Sequence, residues 1–219
     1  MDGARLQTKV FGGFAKAAKR IGVPFDLYRP DGAFDPLNTF NKVTTLPAAF
    51  TRHGASNFDF SQPSDHKQPL FHAMVDAAQI QAFDYLNNPN DVYGPFFIAS
   101  VPPSMPPLAV QCNRTVSVYQ PGPALSHGLN GYAGTTPGNG TLIMSGWPAS
   151  VLMGARGVRD QTLPADAGYG SYRIMLPFVT GVYLRPGTII TDDISNRFIV
   201  QVAELQDLGW RIDAVQAVT

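Results

Sequence analysis

Glutamate is nearly missing from this chain. Glu204 is the only one, so fifteen of the sixteen acids are aspartates, and only five of the sixteen bases are lysines (Lys9, Lys16, Lys19, Lys42 and Lys67). Glu and Lys fill exposed helix faces, whereas Asp favours caps and turns, so a mostly helical protein is excluded. Cys112 stands alone, which rules out an intrachain disulfide and with it a secreted disulfide scaffold. Set between Val110 and Val116, it reads as a small buried hydrophobe. Net charge is also absent, since sixteen bases balance sixteen acids. A sequence-independent nucleic-acid binder or a polybasic membrane-surface protein would need a surplus of cations. No window approaches the ~20 apolar residues of a membrane span. The opening residues, charged at Asp2, Arg5 and Lys9, lack the apolar stretch of a signal peptide. Synthesis in a cytoplasm is therefore expected, and the sequons Asn113-Arg114-Thr115 and Asn139-Gly140-Thr141 read as chance matches.

What is plentiful is punctuation. The 219 residues include 21 Gly and 19 Pro with only 15% charged side chains, a composition of strands and ordered loops. One helix is predicted, in residues 1–22: Leu6, Val10, Phe14, Ala18 and Ile21 recur at helical spacing, Asp2 is placed as N-cap and Gly22 as the stop before Pro24. Lys16, Lys19 and Arg20 crowd its last turns, where cations suit the helix dipole. Gly12-Gly13 in its middle either admits another backbone or simply weakens the helix. Residues 23–70 carry six prolines and the rings of Phe25, Tyr28, Phe34, Phe40, Phe50, Phe58 and Phe60 without a sustained period. So many aromatics are unlike a disordered linker, and the expectation is a long ordered arm whose rings need a surface to pack on.

Residues 71–120 read as a first β-module, with runs at Phe96–Ala99 and Leu108–Cys112 and strict alternation over Thr115–Tyr119. Residues 121–146 are glycine-rich and read as a loop or hairpin. Residues 147–219 read as a second β-module, with strands expected at Tyr172–Leu176, Gly181–Arg185, Thr188–Thr191, Arg197–Val202 and Trp210–Val215. Spacing this short implies hairpins, hence antiparallel small-barrel or sandwich modules; the fold class is mainly β, with an N-terminal helix and the arm. An internal echo joins the modules. Asp84-Tyr85-Leu86, Phe96-Phe97-Ile98-Ala99 and Leu108-Ala109-Val110 are matched by Asp192-Asp193-Ile194, Arg197-Phe198-Ile199-Val200 and Trp210-Arg211-Ile212.

Signatures of chemistry are few. There is no phosphate-binding glycine loop, dinucleotide fingerprint, serine nucleophile elbow or His-Glu-x-x-His helix. His53, His66, His72 and His127 are widely spaced; His66 and His72 could build a metal site with Asp59, Asp65 or Asp76, but solvated or packed histidines are the simpler account. Cys112 sits in an apolar strand, a poor setting for a nucleophile. Asp192-Asp193, adjacent on a strand, would point to opposite faces and reads as a hairpin corner. No catalytic residue, metal or cofactor is expected.

Several stretches resemble a group of virion proteins from tailed bacteriophages and prophages. They are Met1–Gln7 with Ala15–Gly22, Gly94–Ala99 through Pro107–Val118, Trp147–Leu152, and Leu205–Arg211. The run Pro186–Asp193 with Arg197–Val200 is also similar to small β-barrel proteins of phage necks and tails. The resemblance implies a non-enzymatic structural subunit of the tail, baseplate or head-to-tail neck, made in the host bacterial cytoplasm. It would assemble with other virion proteins and with copies of itself as a ring or sleeve, without membrane or sequence-specific nucleic-acid contacts. The expected interface residues are Leu6, Val10 and Phe14 of the helix and Phe25, Tyr28, Phe34, Phe40 and Phe50 of the arm. Two other readings stay open: a virion-associated cell-wall hydrolase using His66, His72 and nearby aspartates, and a cytosolic β-barrel binding module.

Overall fold

The computed structural model describes residues 2–52, 69–88, 90, 94–121, 140–154 and 170–217. In these residues one helix, α1 (Gly3–Ile21), precedes two closed antiparallel barrels. The first holds β1 (Val23–Tyr28), β2 (Lys42–Arg52), β3 (Leu70–Met74), β4 (Tyr85–Asn87), β5 (Phe96–Ser100) and β6 (Leu108–Gln111). The second holds β7 (Arg114–Pro121), β8 (Gly140–Met153), β9 (Ser171–Leu176), β10 (Ile189–Asp192), β11 (Arg197–Gln206) and β12 (Gly209–Gln216). The mainly β class and the N-terminal helix are as the sequence implies. No described helix is long and apolar enough to cross a membrane.

The domain layout differs from the expected one. Of the segment 23–70 expected as an arm, the described residues 23–52 belong to a barrel: β1 and β2 help close the first one, β1 pairing with both β2 and β4, while 53–68 lie outside the described residues. The barrels meet at Cys112-Asn113, not in the glycine-rich stretch, and Gly140–Gly146 already belongs to β8. Gly181–Arg185, expected as a strand, lies in an irregular loop that buries Val179, Val182 and Leu184. Gly22 does follow the helix, yet its φ of −86° is not left-handed. Its lack of a side chain serves contact, because a Cβ there would lie 2.6 Å from the Ala18 carbonyl oxygen and 2.8 Å from the Ala48 backbone.

The two barrels are one design used twice. Around the first the strands run β1-β2-β3-β6-β5-β4, and around the second β7-β8-β9-β12-β11-β10. The registers match residue for residue except between β7 and β8, which slip twice where β1 and β2 slip once. Phe96 faces Gln111 and Ile98 faces Ala109, as Phe198 faces Gln216 and Val200 faces Ala214, and each ladder then slips at a bulge, at Ala99 and at Gln201. Following the pairings around each ring aligns Ala109-Val110-Gln111 with Ala214-Val215-Gln216 and Pro47-Ala48 with Pro148-Ala149. It also aligns Tyr28 with Tyr119 and Asp84 with Thr188. The turn before β4 and the turn before β10 are built alike. Phe83 (φ 72°) and Gly187 (φ 87°) hold the left-handed position. Asp84 and Thr188, both buried, accept the N–H three residues back, from Gln81 at 2.8 Å and Arg185 at 3.1 Å.

The sequence echo is therefore real but misaligned. It set Phe96 against Arg197 where the ladders set it against Phe198, and Ala109 against Arg211 where they set it against Ala214. A one-residue slip on a strand exchanges the inner and outer faces.

Cores follow from alternation. Phe25, Leu27, Leu46, Ala73, Leu86, Phe96, Ile98 and Ala109 fill the first barrel. A second cluster fills the other barrel and continues through Tyr28, Tyr85, Phe97, Val110 and Cys112 across the junction, where Trp147 is 1% exposed. The loop between β1 and β2 locks this junction. Trp147 Nε1 donates to the Ala33 carbonyl at 2.8 Å, Asp35 N donates to the Ser145 carbonyl, and Ser145 N returns to Ala33.

Candidate interaction surface

α1 is amphipathic, and its apolar side lies on β2 and β3. Ala18 is fully buried; Val10 and Phe14, both expected at an interface, are half-buried, while Leu6 is 45% exposed. The opposite side carries Arg5, Lys9, Lys16, Lys19 and Arg20, all exposed and with no acid between Gly3 and Ile21. Among the described residues none of these five is ion-paired. A Cβ at Gly12 or Gly13 would meet nothing within 4 Å, so no part of the described chain approaches there. Each glycine costs the helix about 1 kcal/mol against alanine, and the chain's own packing does not require either.

The loop between β1 and β2 presents the other exposed rings. Phe34 is 56% and Phe40 94% exposed, although the backbone beneath them is well tied. Asn38 Oδ1 accepts the Phe40 N–H at 3.2 Å, and Asn41 Nδ2 donates to the carbonyls of Asp35 and Pro36. The loop contains Asp31 and Asp35 and no base between Pro30 and Asn41. Its flanking bases are engaged elsewhere: Arg29 grips Asp84 through Nε (2.9 Å) and Nη2 (2.8 Å), and Lys42 Nζ sits 2.7 Å from Asp26. Lys42 and the Thr45 hydroxyl hold the Asp26 carboxyl below its usual range, and Asp84 raises the Arg29 guanidinium further.

Two expected interface residues are corrected by this geometry, and a third is partly covered. Phe25 and Tyr28, 1% and 9% exposed, are barrel core. Phe50 is half-buried, stacked on Phe96 with ring centroids 3.8 Å apart. Their rings pack on the chain's own strands because the segment taken for an arm is part of a barrel. The signal was present, since Phe25-Asp26-Leu27 alternates as a strand does.

Among the described residues no group of three or more His, Cys, Asp or Glu side chains could hold a metal ion. His72 is half-buried on β3, and Asp76 caps a turn by accepting the Ala78 N–H at 3.2 Å. His53, Asp59, Asp65, His66 and His127 lie outside the described residues. Asp192 and Asp193 do diverge at a corner. Asp192 is buried and accepts the N–H groups of Ile194 and Asn196, while exposed Asp193 lies 4.0 Å from Arg114. An open cleft of about 480 Å³ at the junction is lined by Gly94, Pro95, Gln111–Thr115 and Asp193. Asn113, read above as part of a sequon, has its amide bonded both ways to the Val151 backbone.

Cys112 borders that cleft but is 3% exposed, and burial pushes its thiol far up from the usual range. Thiolate is the reactive form, so this sulfur is inert in the folded protein. Labelling by an aromatic disulfide reagent is expected to be at least ~100-fold slower in the native protein than in denaturant. Comparable rates in both would contradict the buried setting.

Set against protein-family models, curated proteins and solved structures, the chain matches none.

Proposed function

We propose that this protein is a structural subunit of a tailed-bacteriophage particle, placed in the tail, baseplate or head-to-tail neck. It acts without catalysis, through interfaces with other virion proteins and with copies of itself. The sequence resemblance motivates the particle. The observation that carries the assembly role is the Phe40 ring, 94% exposed on a hydrogen-bonded loop of the β1–β2 connection. An aromatic on a tied backbone orders less chain when it docks than one on a free loop, and such rings anchor protein interfaces. The duplicated barrel supplies a stiff body on which helix and loop keep fixed positions. The experiment is mass spectrometry of purified particles, alongside assembly in a strain lacking the gene. Stoichiometric presence and incomplete particles in its absence are expected; particles that never contain the protein would end this reading.

A further inference from the structure

Charge on this neutral chain is strongly segregated. Five bases and no acid lie in α1, which leaves eleven bases against sixteen acids elsewhere, a net charge of −5. At 100° per residue the five cations fall within an arc of about 100°, opposite Phe14 and Ala18, and from Arg5 to Arg20 they run about 22 Å along the axis. Gly12 lies inside that arc and Gly13 at its border. The stripe thus has a shallow notch at its middle, open on the described chain's own side.

The acidic loop with Phe34 and Phe40 is at the far end of the same ladder. α1 enters β1 at Val23, which pairs with Ala48, whereas the loop leaves after Tyr28, which pairs with Lys42. Six strand residues separate the C-terminal end of α1 from the loop by roughly 17–20 Å, more than a Debye length of about 8 Å at physiological salt. The last-turn cations of α1 and the loop of one molecule are therefore screened from each other, whereas helix and loop of two molecules can meet. A polyanion such as nucleic acid would meet a remainder that is net negative, while a second copy offers acids and an uncovered ring together.

We propose that the basic face of α1 is the docking site for the loop 30–41 of a second copy. Phe40 seats over Gly12-Gly13, and Asp31 and Asp35 lie among Arg5, Lys9, Lys16 and Arg20. This rests on the self-assembling subunit proposed above and names its contact. The contact is heterologous, head to tail, so repetition closes a ring or extends a sleeve.

Sedimentation velocity on the full chain over about 1–100 μM tests it, a range that brackets moderate affinities. Concentration-dependent association is expected, weakened at least ~tenfold by F40A and equally by G12L. G12L replaces a poor helix former with a good one, so its monomer should melt no lower than wild type. K9D/K16D and D31K should each weaken association, and the triple variant should recover most of it; Asp31 is reversed because Asp35 packs on Gly146. A wild-type chain that stays monomeric throughout, or association indifferent to F40A and G12L, overturns the proposal. So does a chain that binds duplex DNA or phosphatidylserine vesicles through Lys9 and Lys16 without associating with itself. Particle composition remains a separate readout: a virion protein whose self-association ignores Phe40 would sink this contact and leave the structural role standing.

Discussion

Replacing Trp147 with alanine is expected to cost about 4 kcal/mol, the upper range for emptying a large aromatic site in a packed core. The residue is 1% exposed and does three jobs at once. Its ring fills the second barrel's core, lies 5.8 Å from the Tyr85 ring of the first barrel, and donates its indole N–H to Ala33 across the junction at 2.8 Å. Beside it the Tyr85 hydroxyl donates to the Pro148 carbonyl at 2.7 Å, and burial raises that phenol well above its usual range. The internal repeat separates these roles. Trp147 aligns with Leu46, which belongs to the first barrel's own cluster. Trp147→Leu should keep most of the barrel core and lose the indole bond and ring contact, for about half the alanine cost. Urea unfolding followed by circular dichroism, with Trp210 fluorescence as a second-barrel probe, measures both. Wild type should unfold in one transition and W147A in an earlier or split one. A loss below ~1 kcal/mol would mean that the junction is not the shared core described here.

How much of this was legible in the sequence depends on the kind of signal each segment carries. The last strands were readable because Arg197–Val202 and Trp210–Val215 alternate and have one buried face. β1 and β2 were hidden by proline. Pro24 and Pro47 ordinarily argue against a strand, but here they face each other across the ladder where, among the described residues, no third strand pairs. β4 pairs with β1 only from Asp26, and β3 with β2 only from Ala49, so neither missing N–H interrupts a ladder. Pro148 occupies the same place in the second barrel, with β9 pairing only from Ser150. The sequence echo matches Leu108-Ala109-Val110 with Trp210-Arg211-Ile212 where the ladders match Ala109-Val110-Gln111 with Ala214-Val215-Gln216, because apolar runs alone cannot fix register and two strands of similar composition align at several offsets. Of the surface, the helix cations and the exposed rings could be listed from sequence. Which rings are buried is signalled only at Phe25, by the alternation of Phe25-Asp26-Leu27; for Tyr28 and Phe50 it depends on closure of the first barrel.

The repeat also turns the buried Asp84 into a controlled comparison. Its carboxylate, with a 2% exposed side chain, accepts from Arg29 at two atoms and from the Gln81 N–H, and so ties β1's end to the turn before β4. Removing a buried acceptor leaves its donors unpaired, which for charged partners costs about 3 kcal/mol. Arg29, however, is 38% exposed and can turn to water, so the ion pair itself is worth nearer 1 kcal/mol. Most of the loss must then come from the orphaned Gln81 N–H and the vacated space. Thr188, at the matching place in the second barrel, does the turn bond alone with a hydroxyl. Asp84→Thr should therefore recover the bond to Gln81 while giving up Arg29, and lose only about 1–1.5 kcal/mol where Asp84→Ala loses about 3. Equilibrium urea unfolding of the two variants, with Arg29→Ala as the companion that removes the same ion pair from its exposed side, resolves these contributions. If D84T falls as far as D84A, the two turns are alike in backbone only, and the ion pair rather than the turn bond holds β4 in place.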